Sequence, residues 1–222
     1  MKHPWSTTIL LLVFFMSTQL LGLFLVSLAM PVSTVDGQVT VSAPNTALGP
    51  PPETDPLGAL IMIVTGVAIG TALILLIIKF KLHRMWRVWF LLAAGLTMTV
   101  SFGVLFGEAG YGYAALLGFV LAAWKIFYPN PYVHNLTELF IYPGIAVLFY
   151  HILSVPVMVL LLAIISVYDV IAVFKSKHMV SMAQFQTESK VFAGLAIPRS
   201  PKKIQRTEQE KKTHPTSRNY DW

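Results

Sequence analysis

The carboxyl group of Asp169 is the only acidic group that lies well inside one of the long apolar segments of this 222-residue sequence. A helix over residues 160–174 would place it roughly 9 Å from Lys175, which follows that segment. An ionised carboxylate at the centre of a membrane-spanning helix costs about 2.5–3.5 kcal/mol, and near the helix end the cost is smaller but still real. Such a group is therefore expected to face other protein or water.

Three kinds of chemistry fit a carboxyl group in this position. It can form a structural hydrogen bond to a neighbouring helix, bind protons or ions for transport, or take part in hydrolysis. Ser166 and Ala172 lie three residues before and three residues after Asp169, so we expect them beside the site on the same helix face. Tyr168 is expected to point elsewhere. The residue types alone leave the three alternatives open.

The composition indicates that the helices carrying these residues cross a membrane. Hydrophobic residues make up 55% of the chain and charged residues only 12%, against about 25% charged residues in a soluble domain. These proportions exclude a disordered chain, a typical soluble enzyme and a nucleic-acid-binding domain. The sequence has no cysteine, which excludes a thiol nucleophile, an iron–sulfur cluster and a Cys-bound zinc. No metal-binding or cofactor-binding motif is predicted, and no nucleic acid is expected as a partner.

Hydropathy predicts an all-α, polytopic membrane protein with six transmembrane helices. The predicted domain covers residues 1–174 and has spans at 8–30, 57–78, 88–106, 111–127, 139–155 and 157–174. Residues 31–56 are rich in Pro, Thr and Ser and are predicted to form an extracytoplasmic loop. Residues 175–222 are predicted to be a basic cytoplasmic tail that is disordered from about residue 200.

The basic residues predict that both termini are cytoplasmic. All sixteen Lys and Arg residues fall on one side of the six-span arrangement. They precede the first span, fill the loop between the second and third, end the fourth, and follow the sixth. Because cytoplasmic loops carry an excess of Lys and Arg, the chain is predicted to be a multi-pass integral protein of the lipid bilayer.

Two pairs of glycines are spaced for close helix packing. Gly66-Val-Ala-Ile-Gly70 lies in the second span and Gly103-Val-Leu-Phe-Gly107 in the third. Small residues four apart allow two helix backbones to approach closely. We expect both pairs to pack against other helices of the same chain.

Tyr168-Asp169, near the cytoplasmic end of a sixth span, resembles the first catalytic motif of the presenilin and signal peptide peptidase family of intramembrane aspartyl proteases. The run Tyr168-Asp-Val-Ile-Ala-Val-Phe-Lys-Ser-Lys-His-Met179 is similar to that of the archaeal members. Tyr128-Pro-Asn-Pro-Tyr-Val133 resembles their YPxxYV segment. Lys190 followed by Ile197-Pro198 resembles the start of their loop after the sixth span. The resemblance covers about residues 1–200, which correspond to the N-terminal six-helix half of a family member.

The resemblance implies that Asp169 is one of two catalytic aspartates and that transmembrane segments of membrane proteins are the substrates. Family members carry the second aspartate in a GxGD motif of the seventh span and a Pro-Ala-Leu motif in the ninth. Neither motif occurs in these 222 residues. Aspartyl proteolysis needs two carboxyl groups that share one proton. The isolated chain is therefore predicted to cleave nothing.

Three functions follow from these observations. The first is the N-terminal part of an intramembrane aspartyl protease, with the second aspartate supplied by a separate membrane polypeptide. The second is a truncated, catalytically inert family member. The third is a non-enzymatic transporter that uses Asp169 as a proton or ion site. A transporter needs further polar groups facing Asp169, and the hydroxyls of Thr97, Thr99 and Ser101 are the available cluster.

Overall fold

The computed structural model describes residues 5–30, 32–35, 38–41, 45–175, 178–189, 191 and 193–196. The described elements are α1 (Trp5–Ala29), β1 (Val32–Val35), β2 (Gln38–Val41), α2 (Pro56–Lys79), α3 (His83–Phe106), α4 (Tyr111–Phe127), α5 (Pro131–Phe149), α6 (Val155–Val170) and α7 (His178–Ser189). A turn of 3-10 helix, Glu108–Gly110, precedes α4, and a π-helical turn, Ile171–Lys175, continues α6. The predicted disorder from about residue 200 lies outside the described residues.

The fold is all-α and polytopic, apart from the antiparallel hairpin of β1 and β2 that follows α1. Five described helical segments are long and apolar enough to cross a membrane, which makes the chain an integral membrane protein. They are Thr7–Ala29, Pro56–Lys79, His83–Phe106, Glu108–Phe127 and Val155–Lys175. The hairpin lies in the predicted extracytoplasmic loop 31–56, whose side of the membrane stays a prediction.

Helix α5 is not among these five segments, and its bounds differ from the predicted span 139–155. It begins at Pro131, because the side chain of Asn130 accepts a hydrogen bond from the backbone N–H of Tyr132 and proline fits the first helical turn. It ends at Phe149. Hydropathy does not locate the start of this helix, because its first turns carry buried polar residues, including His134 and Glu138.

Helix α3 is the centre of the packed bundle and contacts α1, α4 and α5. Small residues allow these close approaches. A Cβ added at Gly118 of α4 would lie 2.9 Å from the backbone nitrogen of Thr99, and one added at Gly144 of α5 would overlap the carbonyl oxygen of Thr97. Because lipid tails are as apolar as the side chains, such close packing is what favours helix association in a bilayer.

Helices α2 and α6 lie at the edge of this bundle. Leu161 is the only buried residue of Val155–Val170 in α6, and α2 has three, at Ala59, Leu60 and Ile77. Apart from the neighbouring residues and backbone of α2 itself, no described atom lies within 4 Å of a Cβ added at Gly66 or Gly70. The expectation that this glycine pair packs against another helix of the chain is therefore wrong for the described residues. The second pair is used in part, since Gly103 contacts Ala47 and Tyr111.

The glycine contacts predict different effects of two Gly→Ala substitutions on the stability of the protein. Gly144→Ala is expected to destabilise the protein by about 1–3 kcal/mol, because the added methyl group forces α5 away from α3. Gly66→Ala, the matched control, is expected to leave stability unchanged or raise it, since alanine favours helix more than glycine does. Thermal unfolding in mild detergent measures both variants. Unfolding of Gly144→Ala at the wild-type temperature would contradict the packing described here.

Candidate functional site

Asp169 lies in the last turn of α6, on an exposed side of the helix. The helix begins after Ser154 with Pro156 in its first turn, where a proline costs no hydrogen bond. Its exposed faces carry apolar side chains such as Val159 and Val167. Within the described ranges, the Asp169 carboxyl forms no hydrogen bond and no ion pair. The carboxyl group is therefore free to contact a polar group from outside the described residues.

The backbone changes from α-helix to π-helix directly after Val170. Single π-helical turns are rare and occur frequently at functional sites. A residue of a π-helix turns through a smaller angle than a residue of an α-helix, so the face that carries Asp169 does not continue past this point. Ser166 is exposed like Asp169, but Ala172 is buried. The expectation that Ala172 shares a face with Asp169 is therefore wrong.

The hydroxyl of Tyr168 joins α6 to two other helices. Its oxygen lies 3.0 Å from Oγ1 of Thr71 on α2 and 3.0 Å from Nε2 of His178 on α7. Tyr168 is half-buried, whereas Asp169 is exposed, so the two side chains point to different sides of α6. Thr71 was not among the residues predicted for the site, although a hydroxyl within an apolar span is the kind of signal that indicates a contact between helices.

The hydroxyl cluster of α3 does not face Asp169. Thr97 and Thr99 donate to carbonyl oxygens of their own helix, and Ser101 donates to the carbonyl of Phe140 on α5. Helices α3 and α6 make no contact in the described structure. These hydroxyls therefore serve helix packing, and they give no support to a transport site around Asp169.

No second carboxyl group forms a hydrogen bond with Asp169 among the described residues. Glu108 accepts a hydrogen bond of 2.9 Å from the side chain of Asn45, and Glu138 is buried against Lys125. The same part of the chain contains no group of three or more His, Asp or Glu residues that could hold a metal ion. What the described residues offer at this position is a single carboxyl group.

A buried ion pair that was not predicted from the sequence joins Lys125 at the end of α4 to Glu138 on α5. Both side chains are only 2% exposed. The Lys125 ammonium also lies 5.2 Å from the ring centre of Phe90, within range of a cation–π interaction. A cation and an anion at the adjoining ends of two consecutive apolar segments are the signal that would have indicated this pair.

The described segment after α7 is bound to α3 and α5 close to this ion pair. Asn135 exchanges two hydrogen bonds with the backbone of Ala196, of 2.9 and 2.7 Å. His134 donates to the carbonyl of Gly194 at 2.6 Å, and the indole N–H of Trp86 donates to the carbonyl of Val191 at 3.1 Å. These contacts hold the segment from Val191 to Ala196 against the bundle.

A cavity adjoins this segment and not Asp169. Its volume is about 530 Å³. The lining residues are Lys125, Pro129, Asn130, Pro131, His134, Thr187 and Ala196. None of them belongs to α6, so the cavity and the Asp169 carboxyl are separate features.

A protein-family model described as signal-peptide peptidase, presenilin aspartyl protease matches residues 12–216 of the chain. The match includes Asp169 and every described helix in whole or in part. It also extends past the position near residue 200 at which the motif resemblance ends. No curated protein and no solved structure matches the chain significantly.

The buried ion pair predicts strong coupling between two substitutions. Lys125→Met or Glu138→Met alone is expected to destabilise the protein by about 3–5 kcal/mol, because each leaves an uncompensated buried charge. The double variant is expected to regain most of that stability, since two apolar side chains can replace a buried ion pair. Thermal unfolding of the four proteins in detergent measures the coupling. If the double variant loses as much stability as the two single variants together, the predicted coupling is contradicted.

Proposed function

The chain belongs to the family of signal-peptide peptidase and presenilin aspartyl proteases, and from this premise we propose that Asp169 is one of the two catalytic aspartates of an intramembrane protease. The substrates would be transmembrane segments of membrane proteins. The observation that carries the proposal is the Asp169 carboxyl itself. It lies exposed within a membrane-spanning segment, directly after Tyr168, and has no partner among the described residues.

The chemistry requires a second carboxyl group from outside these 222 residues. In an aspartyl protease one carboxylate accepts a proton from water, and the water oxygen forms a bond to the scissile carbonyl carbon. The other carboxyl is protonated and donates a hydrogen bond to the carbonyl oxygen. The C–N bond then breaks as the amide nitrogen takes up a proton. Asp169 supplies one of these two groups, and a GxGD aspartate on another segment supplies the other.

The substrate must unwind where it meets Asp169. Inside a bilayer, the polar groups of a transmembrane helix are satisfied by hydrogen bonds within that helix. A carboxyl-activated water therefore reaches the carbonyl carbon only after these bonds open locally. The sparse packing around α6, with Leu161 as its single buried residue, leaves the side of the helix that carries Asp169 accessible to such a segment.

The proposed arrangement in the membrane has six spans with both termini cytoplasmic, in which α5 crosses as the fifth span, in addition to the five apolar segments named above. The support comes from the sixteen Lys and Arg residues, which all fall on one side when α5 crosses. Asp169 then lies near the cytoplasmic surface, where water is available for hydrolysis.

This topology is testable because the chain has no cysteine of its own. Single variants Leu82→Cys, Ala109→Cys, Pro129→Cys and Ser154→Cys place one thiol in four exposed connections. A membrane-impermeant maleimide added to intact cells is expected to label Ala109→Cys and Ser154→Cys alone. Absence of labelling at Ser154→Cys would show that α5 does not cross the membrane. Labelling of Leu82→Cys would show that the orientation is the reverse of the one proposed.

The catalytic role of Asp169 predicts a specific loss of cleavage. In membranes that contain this chain together with a polypeptide carrying a GxGD motif, a single-span substrate is expected to be cleaved. Asp169→Asn is expected to abolish the cleavage, because an amide can neither accept the proton of the attacking water nor share a proton with the second carboxyl group. Glu53→Gln, which neutralises an exposed carboxylate before α2, is the matched control and should retain activity. Cleavage that persists in Asp169→Asn would contradict the proposal.

A further inference from the structure

We propose that Thr71 and His178 are positioning residues for Asp169 and act through the hydroxyl group of Tyr168. This inference rests on the proposed function, which requires the Asp169 carboxyl to meet a second carboxyl group. The observation behind it is the hydrogen-bonded triad of Thr71, Tyr168 and His178, with both oxygen-to-partner distances at 3.0 Å.

The Tyr168 hydroxyl carries the polar contacts that α6 makes with other helices in the described structure. Ser166, the other hydroxyl of the helix, donates to the carbonyl of Leu162 within α6 at 2.8 Å. Asp169 makes no such contact in the same ranges. The remaining attachment of α6 is packing against α2 and, through the π-helical turn that continues it, against α7, with Leu161 and Ala172 as the buried residues. Apolar packing has no preferred direction, so the triad is the directional contact.

The triad satisfies each of its members. If Nε2 of His178 carries no proton, Tyr168 donates to it and accepts a hydrogen bond from Thr71. If Nε2 carries the proton, it donates to Tyr168, and Tyr168 donates to Thr71. In both arrangements the tyrosine hydroxyl acts once as donor and once as acceptor. The side chain is held at both sides, by α2 and by α7.

A fixed Tyr168 sets the direction of its neighbour. Consecutive residues of an α-helix point about 100° apart around the helix axis. Holding the ring of Tyr168 between α2 and α7 therefore fixes the rotation of α6, and this rotation directs Asp169 to the exposed side. Without the hydroxyl contacts, α6 can turn about its axis while the apolar packing persists.

The rotation matters because two carboxyl groups must share one proton. A displacement of about 1 Å in a reacting group can reduce the rate about a hundredfold. A loss of the triad should therefore slow the chemical step and leave substrate binding unchanged. Thr71 and His178 touch neither the substrate nor the attacking water in this account, and they act only through Tyr168.

The first test measures the direction of α6 without using catalysis. Asp169→Cys and Ala172→Cys are made separately, each in wild-type, Thr71→Val, Tyr168→Phe and His178→Phe backgrounds of this cysteine-free chain. The rate of reaction with N-ethylmaleimide is measured in mild detergent. Since position 169 is exposed and position 172 is buried, the ratio of the two rates should be high in the wild type. It is expected to fall about threefold or more in the three variant backgrounds.

The controls separate a rotation from general instability. Thr71→Ser and His178→Gln keep a hydrogen-bonding atom at each position and should retain the wild-type ratio. Thr18→Val removes a hydroxyl that bonds only within α1 and should also retain it. Equal ratios in Thr71→Val, Tyr168→Phe and Thr18→Val would overturn the proposal. A matching rise in labelling of Val147→Cys, a position buried in α5, would also overturn it, since the triad would then serve overall stability.

The second test measures cleavage in membranes that supply the GxGD aspartate. Thr71→Val is expected to lower kcat about ten- to a hundredfold with KM unchanged, and Thr71→Ser should restore kcat. A rise in KM alone would overturn the positioning role. The two tests fail independently: a changed labelling ratio in a protein that cleaves nothing keeps the triad and contradicts the proposed protease.

Discussion

The close packing of α3 against α4 and α5 is the interaction on which the described structure depends. In lipid the hydrophobic effect does not draw apolar helices together, so their association relies on dispersion contacts between closely approaching backbones. Gly118 and Gly144 provide those approaches, and their Cα atoms face the backbone of α3 directly. Helices α2 and α6 lie outside this packed group and expose most of their side chains. The carboxyl of Asp169 is therefore presented at the edge of the bundle and not in its core.

A series of polar contacts connects the bundle with α6. The ion pair of Lys125 and Glu138 lies between α4 and α5, next to the described segment after α7. That segment follows α7 directly, and α7 carries His178, which contacts Tyr168. The C-terminal end of α4 and the N-terminal part of α5 are thus linked through α7 to the residue that precedes Asp169. Such a linkage holds a peripheral helix in place although apolar packing contributes little to it.

The sequence was sufficient to predict the all-α polytopic fold and the family, because long apolar segments and short family motifs are local signals. It was less informative where neighbouring helices decide the outcome. Helix α5 begins at Pro131, before the predicted span 139–155, and its polar residue Glu138 is buried against Lys125 from another helix. Ala172 is buried in a π-helical turn, and no residue pattern in the sequence predicts such a turn. The contact of Thr71 with Tyr168 joins positions far apart in sequence and required the structure.

The measurement that tests the central claim most directly is the affinity of a peptide inhibitor whose hydroxyl group replaces the scissile carbonyl. Such a hydroxyl binds between two catalytic carboxyl groups, in the place of the reacting water. In membranes that contain this chain and a GxGD polypeptide, Asp169→Asn is expected to weaken binding by about a hundredfold or more, as removal of a group specific to the transition state should. Equal affinity of Asp169→Asn and wild-type protein would show that Asp169 is not part of an aspartyl protease site.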